Sequence, residues 1–189
     1  MHRLFVAIDL PDAAKTRLAG LCSGIRGAHW IEPEQMHLTL RFIGEVDGPL
    51  FDDIRLALGR IESESFALTL DGLGLFPMRG TPHTLWVGVA PHPALERLQG
   101  KIEAAVVALG LEPERRNYHP HVTLARLKGA RAYQVSEYLS YQGPFQAMPF
   151  PVATFQLYQS FLGNGGALHR VEMIYPLAAS APAQTAAAP

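Results

Sequence analysis

The sequence predicts an α/β (α+β) fold made of two similar halves. Short runs of branched and aromatic residues alternate with segments whose apolar residues recur every three or four positions, which is typical of strands alternating with helices. This order of elements occurs twice along the chain. The middle strand of each half carries the same tetrapeptide type, His-x-Thr-Leu, so the two halves are expected to be related by a pseudo-two-fold axis.

The first half begins with an apolar run that ends at Pro11, as a strand does. Asp12 follows as a helix start signal, and an apolar stripe continues to Ile25. A loop over 27–35 leads to the strand that carries the first tetrapeptide. In order, the predicted elements are strand 4–10, helix 12–26, strand 36–43, helix 50–61 and strand 66–76.

The second half repeats the order and is closed by one more strand. Its long helix is marked by a stripe from Leu95 to Leu109 and capped by Gly110. The predicted elements are strand 84–90, helix 95–109, strand 118–127, helix 132–139, strand 150–158 and strand 168–175. Residues 1–177 are therefore predicted to form a single bilobal domain. The tail over 178–189 has no charge and no large apolar group, so it is predicted to be disordered.

Composition excludes several functional classes. The chain has 189 residues, is 48% hydrophobic and carries a formal net charge of -1, which argues against a protein that tracks along a nucleic-acid duplex. One cysteine, Cys22, excludes an internal disulfide. The N-terminal apolar run is too short for a signal peptide, and no apolar stretch approaches the length of a membrane span. We therefore expect a cytoplasmic protein with no membrane partner.

The paired tetrapeptides carry the chemistry. They are His37-Leu-Thr-Leu40 and His121-Val-Thr-Leu124. Side chains alternate along a strand, so each histidine shares a face with its threonine while the intervening aliphatic residues point into the core. If the halves pack around a pseudo-two-fold axis, the two pairs face one cleft.

Two histidines and two hydroxyls suit phosphodiester hydrolysis. In-line attack on phosphorus needs a base on the entering side and an acid on the leaving side, and imidazole titrates near neutral pH. The hydroxyls of Thr39 and Thr123 can donate to the non-bridging oxygens. This chemistry requires neither a metal nor another cofactor. A single His-x-Thr would be an ordinary half-exposed strand pattern, but two copies at equivalent places favour a functional site.

A few residues outside the tetrapeptides permit other roles. His119-Pro-His121 permits a metal site, but no Cys, Asp or Glu stands at ligand spacing, so none is predicted. Trp30 and Trp86 are predicted to belong to the core. Five basic residues and no acidic one lie between 115 and 131, which indicates either a solvated loop or a local funnel for an anionic substrate. The five are Arg115, Arg116, Arg126, Lys128 and Arg131.

Several motifs together resemble one family. They are MHLTLRFIGEV at 36–46, LGLFP at 73–77, LWVGV at 85–89, HPHVTLARL at 119–127 and LYQS at 157–160. With the flanking segments from Arg3 to Leu177, these are similar to the 2H phosphoesterase superfamily. Within it, they resemble the bacterial RNA 2',3'-cyclic phosphodiesterases, also called 2'-5' RNA ligases. His169 departs from the pattern, because the family commonly has tyrosine there, and no role is assigned to it.

The resemblance implies a bilobal fold in which two antiparallel sheets line a central cleft and the helices lie outside. It implies hydrolysis of an RNA 2',3'-cyclic phosphate end to a 2'-phosphate, with reversal to 2'-5' ligation. By position, His37 matches the general acid on O3', His121 the general base, and Thr39 and Thr123 the phosphate-binding hydroxyls. Spacing alone does not distinguish the acid from the base.

Phe42 and Arg126 each lie five residues after their histidine, and the resemblance suggests that they flank the terminal nucleotide. Strict alternation instead places both with the buried leucines, so the residues leave this open. Two further functions also stay open: turnover of another small cyclic or 2'-5'-linked nucleotide, and a nucleotide- or RNA-end-binding module without catalysis. The expected partner is an RNA 3' end or a cyclic nucleotide, and nothing in the sequence demands more than a monomer.

Overall fold

The computed structural model describes residues 1–77, 81–163 and 166–179. Within these residues it contains ten strands and four α-helices, and every strand pairing is antiparallel apart from one isolated bridge. The α/β class predicted from the sequence is confirmed. Most of the predicted tail lies outside the described residues. Ala178, however, exchanges backbone hydrogen bonds with Ser63 and Ser65, so regular pairing extends one residue beyond the predicted boundary.

Eight strands form the main sheet, and two short strands form a separate ladder. The main sheet has the order β10-β9-β1-β3-β7-β6-β5, with β2 also paired to β7, and β4 pairs only with β8. The strands are β1 (His2–Asp9), β2 (His29–Trp30), β3 (His37–Val46), β4 (Phe66–Leu68), β5 (Leu70–Phe76), β6 (Thr84–Val89), β7 (His121–Arg126), β8 (Phe150–Val152), β9 (Thr154–Gly163) and β10 (Gly166–Pro176).

The helices cover one face of this sheet. They are α1 (Asp12–Ala19), α2 (Gly48–Gly59), α3 (Pro93–Ala108) and α4 (Ala132–Gln142). Their buried residues join one large hydrophobic core with the inward side chains of the central strands. On the opposite face of the sheet, Phe5, Ala7 and Tyr158 form a small hydrophobic cluster that is separate from this core. This second face is the one that presents the histidines.

Apart from shifts of a few residues at the ends of elements, the structure differs from the predicted elements in four places. The first helix ends at Ala19 rather than at 26, because the chain turns at Gly20 and again at Gly24, whose φ is +94°. Leu21 and Ile25 remain buried from this irregular segment, so the apolar stripe continued where the helix did not. Strand β2 lies within the predicted loop 27–35. The segments 66–76 and 150–158 are each split in two, because the chain changes from one sheet to the other at Thr69 and Ala153.

A local two-fold axis relates the two halves of the main sheet. Strands β3 and β7 meet through one residue pair, Leu38 opposite Val122, and these are equivalent positions of the two tetrapeptides. Outward from this pair, β1 and β9 on one side correspond to β6 and β5 on the other. The two sheets expected from the family resemblance are therefore joined edge to edge at this single pair.

Candidate active site

The β3–β7 pairing brings the two tetrapeptides together on one face of the sheet. With Leu38 opposite Val122, antiparallel register places His37 beside Thr123 and His121 beside Thr39. Leu38 and Val122 are fully buried on the helix side, whereas the histidines and threonines are half-buried on the other side. The arrangement predicted from the alternation of the two strands is thus present.

Matched β-bulges bring two more residues to this face. In β3, Thr39 pairs with Ala7 but Arg41 pairs with Val6, so Leu40 is an extra residue. In β7, Thr123 pairs with Trp86 but Ala125 pairs with Leu85, so Leu124 is the extra residue. A bulge resets the alternation of side chains beyond it.

Because of these bulges, Phe42 and Arg126 lie on the histidine side of their strands rather than in the core. Phe42 is 63% exposed, and Arg126 is also exposed. The Arg126 guanidinium is oriented by a hydrogen bond from Nη1 to Thr84 Oγ1 (2.9 Å). Strict alternation would have buried both residues, and the bulges place both on the histidine side instead.

Both histidines are held in the same way. His37 Nδ1 lies 2.7 Å from the carbonyl oxygen of Gln35, and His121 Nδ1 lies 2.8 Å from that of His119. A carbonyl only accepts, so each neutral ring carries its proton on Nδ1 and donates it to the backbone two residues earlier. Each Nε2 is then left with a free lone pair. Two matched rings, each with Nε2 available, are what a base on one side and an acid on the other require.

Burial lowers the pKa of both rings. The pKa of His37 falls to about 4, because desolvation outweighs the Gln35 carbonyl that favours the cation, and His169 and His121 lower it further. The pKa of His121 is lowered chiefly by desolvation, with His119 and the cationic Arg126 adding to the effect. In the free protein at neutral pH both rings are therefore neutral. An anionic phosphate between them would favour protonation of either ring.

Aromatic rings enclose His37 on one side. Its ring centroid lies 4.8 Å from Phe5, 5.9 Å from Tyr158 and 5.4 Å from His169, which is perpendicular to it. Phe5 stacks on Tyr158 at 5.0 Å and is also in contact with Phe42 at 6.0 Å. These rings fix the His37 side chain and keep its surroundings apolar, which accounts for its low pKa.

A second aromatic group surrounds His121 in the equivalent place. Phe76 lies 4.9 Å from the His121 ring, Trp86 lies 6.0 Å from it, and His119 lies 6.4 Å from it. Trp86 was predicted to be a core residue, and instead it packs edge-on against His119 at 4.9 Å, beside His121. Its position depends on Gly74, its partner across β5 and β6, where a Cβ would meet the indole ring.

The rings around the histidines were missed by reasoning from the sequence. Phe5, Tyr158 and His169 belong to strands that are distant along the chain, and only sheet order brings them beside β3. Phe76, Trp86 and His119 are closer to the second tetrapeptide, but their rings read equally well as core or loop residues. A usable signal was the aromatic residue on each strand that flanks a tetrapeptide strand, Phe5 on β1 and Trp86 on β6.

Across residues 1–77, 81–163 and 166–179, no group of three or more His, Cys, Asp or Glu side chains lies in an arrangement that could hold a metal ion. His119 is packed against aromatic rings. In the same described ranges, no helix is both long and apolar enough to cross a membrane.

Comparison with known proteins gives a consistent result. The family model of the 2'-5' RNA ligase superfamily matches residues 10–161. A relative from Aeropyrum pernix, named RNA 2',3'-cyclic phosphodiesterase, is 38% identical over 142 residues, which cover 74% of this chain and 81% of the relative.

Solved structures share the whole fold. The crystal structure of TT0787 from Thermus thermophilus superimposes with a TM-score of 0.80 at 29% identity, and the match covers 95% of this chain and 100% of that one. The structure of Escherichia coli LigT complexed with 3'-AMP gives a TM-score of 0.75 at 26% identity and covers 93% of this chain and 98% of that one.

Proposed function

The chain belongs to the 2'-5' RNA ligase superfamily, and from this premise we propose that it is an RNA 2',3'-cyclic phosphodiesterase that converts cyclic phosphate ends to 2'-phosphates. The relatives bearing that name support the activity. The observation that carries the catalytic assignment is the pair of matched histidines, His37 and His121, each with its Nδ1 bound to a backbone carbonyl and its Nε2 available. The reaction needs no metal.

The mechanism follows from this geometry. Nε2 of His121 accepts a proton from water as the water oxygen attacks phosphorus, and the P–O3' bond breaks on the opposite side. His37 gives its proton to the departing O3', so the phosphate remains on O2'. Thr39 and Thr123 lie beside the two rings and donate to the non-bridging oxygens, whose charge must be held during the exchange. Run in reverse, with a 5'-hydroxyl in place of water, the same steps form a 2'-5' linkage.

The low pKa of His37 is compatible with its role as the acid. The free ring is neutral at pH 7, but the cyclic phosphate brings a negative charge into an apolar site next to it. The phosphate therefore raises the pKa of His37 on binding, and the ring takes up a proton from solvent as the substrate binds. His121 lies beside the cationic Arg126, which disfavours its protonation and suits it to the role of base.

Phe42 and Arg126 complete the site. They occupy equivalent positions two residues after the matched bulges, one as an exposed ring and the other as an exposed planar cation. Both can stack on the base or sugar of the terminal nucleotide. The complex of LigT with 3'-AMP supports an occupant of nucleotide size. We further propose that the protein acts as a monomer, because one chain supplies every group named here. We also propose that it acts in the cytoplasm.

The direct test uses RNA with a 2',3'-cyclic phosphate end, incubated with excess EDTA, and identifies the position of the product phosphate by phosphorus NMR. We expect a 2'-phosphate from the wild type and a loss of about 10²- to 10⁴-fold in rate for His37→Ala and for His121→Ala. A 3'-phosphate product would mean that O2', and not O3', is the leaving group.

Two other outcomes decide between the competing functions. Tight binding of cyclic phosphates with no turnover by the wild type would mean a binding module. Turnover of a small cyclic or 2'-5'-linked nucleotide, with none on RNA ends, would mean that the substrate is a small nucleotide and not an RNA end. Activity that survives both single substitutions would contradict the two-histidine mechanism itself.

A further inference from the structure

A groove outside the cleft has the properties of a site for single-stranded RNA. It encloses about 370 Å³ between the loop that precedes β2 and the loop that precedes α4. We propose that this loop groove binds the part of the RNA chain 5' to the cyclic end, a proposal that rests on the proposed function. Its lining residues are Arg26, Gly27, Gly129, Arg131, Tyr133 and Gln134.

The two loops are built to approach each other closely. Gly27 has a φ of +82° and Gly129 a φ of +98°, conformations that side chains rarely adopt. A Cβ on Gly27 would lie 2.8 Å from the carbonyl oxygen of Gly129, so the backbones are nearly in contact. The floor of the loop groove is therefore main chain, and the long side chains of Arg26 and Arg131 stand around it.

The charge around the loop groove is unbalanced. Arg26, Lys128 and Arg131 are exposed, and none of them has an ion-pair partner in the described part of the chain. None of the lining residues is acidic. For a chain with a net charge of -1, such a local excess of cations favours a polyanion as the occupant.

The basic run between 115 and 131 divides into two parts in the fold. Arg115 and Arg116 line a different pocket together with Glu112 and Glu114, where the acidic side chains offset their charge. Arg41 sits at the same pocket, with its Nε 2.6 Å from Glu103 Oε2. Of the two interpretations of this run, a solvated loop or a funnel, the funnel can therefore include only Arg126, Lys128 and Arg131. The β2–β7 pairing adds Arg26 to them.

An exposed aromatic residue adds a feature that a simple anion site would not need. Tyr133 lies on the first turn of α4 at the mouth of the loop groove and is 62% exposed. Single-stranded nucleic acid is held by a positive groove along the backbone and by aromatic side chains on which bases stack. Gln134, also in the lining, supplies an amide that can bond to a base edge or a phosphate.

Strand β7 leads from the proposed active site toward the loop groove. Strand β7 runs from His121 on the cleft to Arg126, and the chain reaches Lys128 and Gly129 directly after it. Strand β2 pairs His29 with Arg126, which brings the loop containing Arg26 alongside. A strand rises about 3.3 Å per residue, so the loop groove begins roughly 20 Å from His121. That distance corresponds to several nucleotides of an extended chain.

The test compares two substrates across matched variants. Values of kcat/KM are measured for a cyclic mononucleotide and for a single-stranded octanucleotide with a 2',3'-cyclic end, from 50 to 300 mM KCl. For Arg26→Gln/Arg131→Gln we expect about a 10-fold loss on the octanucleotide at low salt, and less than a 2-fold change on the mononucleotide. The salt slope on the octanucleotide should fall by about 1.4, from two phosphate contacts of about 0.7 each.

A second variant and a control separate charge from stacking. Tyr133→Leu should lower kcat/KM on the octanucleotide by at least about 5-fold and leave the salt slope unchanged. Arg60→Gln/Arg97→Gln removes the same charge from the helix side of the sheet and should affect neither substrate. Equal losses on both substrates, or an effect as large in the control, would overturn the proposal. Failure of the wild type to turn over even the mononucleotide would instead overturn the proposed function.

Discussion

At the scale of the residue, the most informative group is an imidazole kept neutral by its surroundings. His37 lies among Phe5, Tyr158 and His169, and this burial lowers its pKa to about 4. A histidine in the unfolded chain titrates near 6.5. The unfolded state therefore takes up a proton before the folded state does as the pH falls. Substrate binding and acid unfolding both depend on this difference in proton affinity.

We expect the free energy of unfolding to decrease as the pH falls from about 6.5 to 4, and His37 to contribute about 3 kcal/mol of that loss. The sign follows from the lowered pKa, because the contribution is fully present above the unfolded value and is lost as the pH falls through the folded value. Urea unfolding at pH 7, 5.5 and 4 measures it. In His37→Gln the decrease should be smaller by that amount.

His29→Gln is the matched control for this measurement, because it removes an exposed imidazole from the same sheet. Its pH dependence should follow the wild type. If His37→Gln and the wild type lose stability in parallel between pH 7 and 4, the ring is not held in the neutral state by the fold. The apolar enclosure of His37 would then not control its protonation.

At the scale of the element, glycines show where strands and helices differ in tolerance. Gly74 on β5 lies under the ring of Trp86, and a Cβ there would overlap the indole. Gly100 within α3 has no neighbouring atom within 4 Å of a built Cβ. We expect Gly74→Ala to destabilise the protein by about 1–3 kcal/mol and Gly100→Ala to stabilise it by about 0.5–1 kcal/mol.

The same pair of variants tests the link from β5 to the site. Displacing Trp86 disturbs its contacts with His119 and His121, so Gly74→Ala should also lower kcat. Urea unfolding and initial rates on a cyclic mononucleotide give the two readouts. Full activity in Gly74→Ala would show that the aromatic enclosure of His121 does not position the ring.

The loop that follows α3 depends on a buried ion pair. Arg41 is 9% exposed, its Nε lies 2.6 Å from Glu103 Oε2, and Nη1 donates to the Phe42 carbonyl. A further hydrogen bond to the Glu112 carbonyl ties the loop to β3. Glu103→Gln leaves the Arg41 guanidinium to the more distant carboxylate of Glu114, 3.7 Å from Nη1, so it should cost about 2 kcal/mol in urea unfolding.

Removal of both charges checks that explanation. In Arg41→Met/Glu103→Leu, the apolar side chains fill the space without leaving an unpaired charge, so part of the lost stability should return. If the double variant loses the sum of the two single variants, the charges do not interact across β3 and α3. The stabilising effect would then come from packing alone.

At the scale of the whole molecule, the sequence predicted what is local and repeated. The two tetrapeptides were enough to place His37, Thr39, His121 and Thr123 on one face, because alternation along a strand is short-range physics. The meeting of Leu38 with Val122, which makes one cleft out of two strands, depends on how the halves pack. Pattern similarity between the halves suggested it but did not determine the register.

What the sequence missed depends on contacts between distant segments. The bulges at Leu40 and Leu124 reset the alternation, so Phe42 and Arg126 lie on the opposite side from the one that parity alone gives. The rings of Phe5 and His169 come beside His37 through sheet order, which involves strands from both ends of the chain. Apolar periodicity also overextended the first helix, since Leu21 and Ile25 are buried without being helical.

The two-fold arrangement leads to a last prediction about how the halves cooperate. One half supplies the acid and the other the base, and a phosphodiester exchange needs both in the same transition state. Losses from removing groups that act as a unit are strongly non-additive. The rate of the double variant His37→Ala/His121→Ala should therefore lie within about 10-fold of the rate of the slower single variant. If the two groups acted independently, their fold losses in rate would multiply.

Single-turnover rates on a cyclic mononucleotide measure this coupling without interference from product release. Thr39→Val/His121→Ala provides the comparison, because the register places this threonine beside the histidine of the other half. If Thr39 holds the phosphate while His121 activates water, the loss of rate in this double variant should also be smaller than the product of the losses in the two single variants. Full multiplicativity in both double variants would mean that each half promotes the reaction separately, and the pseudo-symmetry would then be a feature of the fold and not of the mechanism.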